Sequence, residues 1–343
     1  MPIFGLCDYD AGTVRSHVFV ASSVCVACAF VACTTDPDPP ASVPSTPEGT
    51  TLVVLPDTQF YACAYGEIFE QQTRWIVSQR ESRQIAMVVH TGDIVDADND
   101  AQWRVATDSL RILDGEVPYL ITTGNHDLSM NRATLFTKFL GTRGLALIDE
   151  ASTYEPHRSD NSYAVVKLAG REWLVLGLEF GPRDRVVQWA EEVLDAHADL
   201  PAIVFTHAYL YNDGLRYDRN HDPRQPYHPD DYVQTVEQGV NDGEDLWAKL
   251  VAPRDNVRLV LSGHVIPDGT ARTSERRAGG AVVHQVLANY QWCGTCPCAE
   301  REGGGGYLRI LEFSASDIAV STYSPHYDDW LRDDENQFRL ELD

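Results

Sequence analysis

The sequence predicts an α/β protein in which two stacked sheets carry helices on their outer sides, and three observations lead there. From Thr51 onward, apolar β-branched runs alternate with segments of helical periodicity. The C-terminal stretch instead strings together runs that are all strand-like. Five of the predicted strands are followed within a few residues by Asp, Asn or His, the placement expected when the carboxyl ends of strands converge on one cleft.

TLVVLP (51–56) is a short β-branched run and predicts the first strand; Ile68, Gln72, Trp75, Ile76 and Gln79 then follow helical spacing. IAMVVH (85–90) predicts a second strand, a helix is expected around Trp103 to Leu113, and VPYLITT (117–123) predicts a third strand. A further helix is expected near 132–140. YAVVKL and EWLVLGLEF flank Ala169-Gly170, the pattern of a hairpin. In PRDRVVQWAEEVLDAHAD, Val186, Trp189, Ala190, Val193 and Leu194 make an amphipathic helix entered behind Pro182. PAIVFT and NVRLVLS continue the strands with EDLWAKLV as a helix between them, and AVVHQVLANY, YLRILEF and DIAVSTY complete one domain over 51–343. No internal repeat interrupts it.

Composition narrows the function. With 343 residues and 43% hydrophobic content the chain can bury a substantial core. Its 51 acidic against 27 basic residues give a net charge of -24, which disfavours a nucleic-acid duplex or anionic membrane as partner, since such binders concentrate Lys and Arg. Carboxylates are hard ligands, so a divalent-metal site fits this balance better.

Residues 1–33 read as a leader. Arg15 and His17 precede the apolar stretch Val18 to Ala32, which suits a signal-peptide core and is short for a membrane span. Cys33 follows Ala32 directly, and then comes a Pro/Ser/Thr-rich linker over 34–50 whose TTDPDPPASVPSTPEGT contains five prolines. The pattern resembles a bacterial lipoprotein signal in which Cys33 is acylated, implying a lipid-anchored protein of the cell envelope. Export without lipidation is the alternative, and a transmembrane anchor a third. Of eight cysteines, Cys63, Cys293, Cys296 and Cys298 remain after the leader. In an exported chain they favour disulfides; a zinc site at CGTCPC is the other reading.

The residues after the strands carry the chemistry. Asp57 and Gln59 follow the first strand, Asp93 the second, Asn125, His126 and Asp127 the third, and His207 and His264 follow PAIVFT and NVRLVLS. Any one alone is more often a turn residue or a packed histidine; five strand ends in succession point to a site. Gly92, Gly124 and Gly263 each precede a candidate ligand, where a tight turn returns the next side chain toward the cleft. His90 and His284 are expected to pack without ligating. The polar, aromatic stretch Tyr209–Tyr232 is too long for a simple connector and is expected to overhang the cleft, where Arg216, with Arg183 beyond Glu179-Phe180-Gly181, could meet substrate.

DTQ (57–59), GDIVD (92–96), GNHD (124–127), TH (206–207) and GHV (263–265) resemble, in order and spacing, the motifs of the calcineurin-like metallophosphoesterase family. The resemblance covers nearly the whole domain and implies a four-layer α/β/β/α sandwich of two mixed sheets. It also implies two divalent ions (Mn, Fe or Zn) and hydrolysis of a phosphorylated substrate by metal-bound hydroxide. Asp93 would bridge the ions; Asn125, His207 and His264 would complete one site and Asp57 and Gln59 belong to the other. His126 would serve the leaving oxygen as acid, with Asp127 orienting its ring. Two departures fall on one site: Gln59 stands where the family usually has His, and Ile266 where GHxH has its last His. Gln offers only an amide oxygen and Ile nothing, which predicts a weaker second ion, with water or Asp268 filling in. The alternative implied is a fold kept for binding, with weak or no catalysis.

Overall fold

Strands whose side chains are apolar on both faces need cover on both sides, and that requirement sets the layering. Thr51–Leu55, Ile85–His90 and Ala202–Thr206 are buried at every position. The computed structural model describes residues 48–236, 239–266, 269–277, 279–291 and 302–342, and these form two mixed sheets. One runs Glu48–Gly49, Arg158–Leu168, Arg171–Leu178, Ala202–Thr206, Val257–Ser262, Val282–Asn289, Gly269–Arg276, with Ala151–Glu155 paired to Arg158–Leu168. The other runs Asp329–Leu331, Asp317–Ser324, Leu308–Phe313, Thr51–Leu55, Ile85–His90, Tyr119–Ile121, with Phe338–Glu341 paired to Asp317–Ser324.

Alternation along each strand then assigns the cores. Leu52, Val54, Met87, Val89 and Leu120 face the opposite sheet and meet Ile203, Phe205, Leu259 and Leu261 there. Their neighbours Val53, Leu55, Val88 and Ile121 turn outward and pack with Phe69, Ile76, Trp103 and Leu110 of helices Gly66–Gln79 and Asp100–Leu110. On the far side Leu174, Leu176, Val204 and Val260 pack with Val186, Ala190 and Leu194 of helix Asp184–Ala196. The result is four layers, helix, sheet, sheet, helix. Trp173 and Phe313 meet edge to face between the two sheets, ring centres 5.1 Å apart.

Several predicted elements change in extent. The third strand shrinks to Tyr119–Ile121 because Thr122 turns its hydroxyl across to the carbonyls of Asp160 and Leu178, tying one sheet to the other. The helix expected near 132–140 is a single turn, Phe136–Phe139. Asn131 and Arg132 before it adopt positive φ, and the buried Arg132 guanidinium donates to the carbonyls of Phe180 and Gly181. EDLWAKLV begins as one α-turn, Gly243–Leu246, capped by Asp242, and continues as a π-helix over Trp247–Val251. The predicted linker extends too far: Glu48–Gly49 already pairs in parallel with Lys167 and Leu168. Gly269–Arg276, which the sequence does not mark as a strand, is a polar edge strand antiparallel to Val282–Asn289.

The leader, Cys33, and the linker through residue 47 lie outside the described residues, as do Asp268, Cys293, Cys296 and Cys298. Cys63 is disulfide-bonded. No helix among the described residues is long and apolar enough to cross a membrane.

Phe205 is fully buried between the sheets, its ring over Gly177. Phe205→Ala should therefore lower unfolding free energy by about 3–5 kcal/mol, measured by denaturant titration, through lost burial and the cavity left behind.

Candidate metal centre

Parallel strands aligned side by side deliver their carboxyl ends to one edge. Thr51–Leu55, Ile85–His90 and Tyr119–Ile121 are such neighbours in one sheet, and Ala202–Thr206 and Val257–Ser262 in the other. Beyond these ends the chain turns sharply. Asp93 (φ 50°) and His264 (φ 79°) occupy the left-handed region, an unfavourable conformation for non-glycine residues that persists where surroundings enforce it. Close approach also demands glycine: a Cβ at Gly124 would lie 2.1 Å from Oδ1 of Asp93, and one at Gly263 would lie 2.3 Å from Oδ1 of Asp57.

Ligand atoms of Asp93, His207 and His264 come within 4.8 Å of one another. Nε2 of His207 is 3.2 Å from Oδ2 of Asp93 and 3.1 Å from Nδ1 of His264. The remote nitrogen of each ring faces a backbone carbonyl, which can only accept: His207 Nδ1 donates to Thr91 O at 2.9 Å and His264 Nε2 to Tyr227 O at 2.8 Å. With those protons placed, the nitrogens facing each other are left as two lone pairs unless a cation stands between them. Nearby, Oδ1 of Asn125 and Oε1 of Gln59 are buried without any hydrogen-bond donor, and Asn125 lies between Gly124 and His126, whose amide donates to Asp93 Oδ1. Converging imidazole, carboxylate and orphaned amide oxygens suit a divalent transition metal, so the residues present fit the group.

Asp57 forms the other side. Its Oδ2 accepts from Nδ2 of Asn289 at 2.7 Å and from the His264 amide at 3.1 Å, while Nε2 of Gln291 donates to its carbonyl. Sequence reasoning missed Asn289 and Gln291, although Asn289 closes and Gln291 directly follows the predicted strand AVVHQVLANY, polar residues at a sixth strand end. Half-buried Ile266 carries no donor atom. His90 is fully buried against Thr58 Oγ1 at 3.0 Å and accepts from the Gly92 amide, supporting the turn without facing the cluster.

Charge explains the protonation. Burial pushes the Asp57 carboxyl up to about 7, against the opposing His207 charge and helped by Asp93. Burial acts on Asp93 in the same sense, but the charges of His207 and His126 outweigh it and hold Asp93 well below the usual carboxylate range. Burial disfavours a charged His207, yet Asp93 and Asp57 keep it protonated to about 9; His264, buried beside that charge, falls to about 3. A proton on His207 thus occupies the place that chemistry assigns to a cation.

Three expectations require correction. The Asp127 carboxylate does not orient the His126 ring: it accepts from the amides of Ile94, Val95 and Gly124, closing the turn around Asp93. The His126 ring is held by Asp96, whose carbonyl accepts from Nδ1 at 2.8 Å. Arg183 is buried in ion pairs with Glu179 at 2.6 Å and Glu155 at 3.2 Å. Arg216 pairs with Glu244 and Glu275 at 2.5 and 2.8 Å over the Trp247 ring. Both guanidiniums are already neutralised by carboxylates, which removes the reason for assigning them to substrate.

Residues 50–268 match the family model for calcineurin-like phosphoesterase. The chain is 32% identical over 319 residues to "Uncharacterized protein YvnB" of Bacillus subtilis (strain 168), covering 88% of this chain and only 22% of that relative's length. Among solved structures, GAP50, the anchor in the inner membrane complex of Plasmodium, is similar at 12% identity and TM-score 0.44, covering 85% of this chain and 89% of that one. The sulfate thiohydrolase SoxB of Thermus thermophilus is similar at 11% identity and TM-score 0.38, covering 77% and 43%. The chain belongs to the calcineurin-like phosphoesterase family.

A metal ion must displace the proton on His207, whose pKa of about 9 keeps it protonated at neutral pH. Binding should release protons at pH 7, and affinity should fall roughly tenfold per pH unit below that value for each proton released. Calorimetric titration in buffers of different ionisation enthalpy checks this; buffer-independent heats would contradict it.

Proposed function

We propose that this phosphoesterase-family protein hydrolyses phosphate esters at an asymmetric two-ion centre. Asp93, Asn125, His207 and His264 would hold one divalent ion (Mn, Fe or Zn), and Asp57, Gln59 and the shared Asp93 a second, weaker one. The observation that carries this is the pair of imidazole nitrogens, Nε2 of His207 and Nδ1 of His264, brought together beside Asp93 while carbonyls of Thr91 and Tyr227 hold the remote nitrogens. When bound, two such cations supply Lewis acidity, lowering the pKa of a water and neutralising charge on phosphoryl oxygens.

The chain's own residues do the rest. His126 is partly exposed at the edge of the cluster, with Nδ1 fixed on Asp96 and Nε2 left to hold a proton for the leaving oxygen. Burial would strip that proton, but Asp93 and the Asp96 carbonyl outweigh it and raise the ring's pKa. Asp127 keeps the turn closed so that Asp93 and His126 stay in register. Glycine at 124 and 263 leaves room for the two carboxylates.

A second reading, a fold retained for binding with little turnover, is favoured by Ile266 and by the neutral amide of Gln59. The disulfide at Cys63 supports an oxidising compartment and hence export, and tethering through Cys33 rests on the leader pattern alone.

Purified protein given Mn²⁺ should hydrolyse p-nitrophenyl phosphate or its bis-ester; no turnover with Mn²⁺, Fe²⁺, Zn²⁺ or Co²⁺ would sink the reading. Asp93→Asn should lose both ions and all measurable activity, whereas Gln59→His should tighten the weaker ion, both followed by metal analysis. His126→Gln should lower kcat about 10²–10⁴-fold on an alkyl phosphate ester and far less on a p-nitrophenyl ester, whose leaving oxygen needs no proton. Equal losses on both esters would remove His126 as the acid.

A further inference from the structure

We propose that His228 is a positioning residue of the metal centre, holding the Tyr227 carbonyl on Nε2 of His264 so that Nδ1 of that ring faces Asp93 and His207. This rests on the metal-centre reading above. The excursion Tyr209–Tyr232 lies directly on the site: the rings of Tyr217 and Tyr232 are centred 5.9 and 5.8 Å from that of His264. Its backbone supplies the one hydrogen bond that fixes the tautomer of His264, at 2.8 Å. Tyr227 makes that bond from a left-handed conformation, φ 59°, which a tyrosine keeps only when its neighbours hold it there.

The holding residue is its successor. His228 is fully buried, edge-on to Tyr217 at 5.6 Å, and its Nδ1 accepts from the Asp230 amide at 3.2 Å. That acceptance leaves a ring proton on Nε2, which lies 3.5 Å from Oδ2 of Asp242, within ion-pair range but without a formed hydrogen bond. Asp242 is itself fixed. Its Oδ1 accepts from the Asp245 amide at 2.9 Å, and its Oδ2 from the Arg219 amide and Nε at 3.1 and 3.2 Å.

His228, Asp230 and Asp242 have the composition of a second metal site. Three features argue for a clamp instead: Nε2 carries a proton where a lone pair would be needed, the Asp242 oxygens are engaged, and Arg219 already supplies positive charge. The clamp acts on the metal centre through Tyr227. With the carbonyl withdrawn, neutral His264 can place its proton on Nδ1, and in that tautomer Nδ1 cannot ligate.

The test uses the full chain and Co²⁺ alone as probe, following binding by calorimetry and by the visible ligand-field bands. His228→Phe keeps a ring against Tyr217 and removes both nitrogens; it should weaken the tighter ion about 10–100-fold and alter its bands. His228→Asn returns an acceptor to the Asp230 amide and should recover part of the loss. Wild-type affinity and spectrum in His228→Phe would overturn the proposal. Should that variant not fold, ¹⁵N NMR of metal-free wild-type protein decides: His264 protonated on Nε2 supports the proposal, and protonation on Nδ1 overturns it. Wild-type protein that binds Co²⁺ yet hydrolyses neither ester would remove the functional reading and leave this one standing; failure to bind Co²⁺ would remove both.

Discussion

Two carboxylates buried at one cleft need positive charge between them, and much of the structure answers that need. Asp57 and Asp93 are 2% and 3% exposed. At such burial their charges cannot be left to solvent, so each must be protonated, hydrogen-bonded or matched by a cation. The protein uses all three. Asp57 takes bonds from Asn289 and the His264 amide, Asp93 from the His126 amide, and His207 carries the compensating proton.

The same constraint explains why two sheets are required. One sheet delivers Asp57, Asp93 and Asn125 from adjacent parallel strands; the other delivers His207 and His264. Acidic and imidazole side chains therefore meet only where the sheets face each other, and relative sliding would separate them. Thr122, bonded across to Leu178 and Asp160, and Arg132, bonded to Phe180 and Gly181, tie the two halves within a few residues of the cluster. Glu179 then stabilises Arg132 and Arg183 together: their charges outweigh the effect of burial and hold its carboxyl below the ordinary range.

Much was legible from sequence because strand periodicity and a terminal ligand are both local. The runs 51–56, 85–90, 202–206 and 257–262 announce buried strands by composition alone, and Gly92 and Gly263 mark where the chain doubles back after the second and fourth of them. Contacts made by residues far apart in sequence were not legible. Asp127 looked like a partner of its neighbour His126, yet it bonds amides 32 and 33 residues away. Arg216 looked free for substrate because nothing local identifies Glu244 or Glu275 as its partners, whereas the nearest partner of Arg183, Glu179, stands only four residues away and its second, Glu155, is distant in sequence. Polar Gly269–Arg276 became a strand through pairing with Val282–Asn289, since an edge strand needs a neighbour more than it needs apolar residues.

By itself the sequence determined which side chains stand at the strand ends, that Ile266 and Gln59 stand where the family usually has histidines, and that an alternating α/β order would stack them. Periodicity and residue chemistry suffice for that. Only the tertiary structure decided which nitrogen of each imidazole faces inward, that Asn289 and Gln291 brace Asp57, and that Tyr227 reaches His264. Those are matters of direction and distance between segments tens to hundreds of residues apart, and they exist only once the sheets have packed.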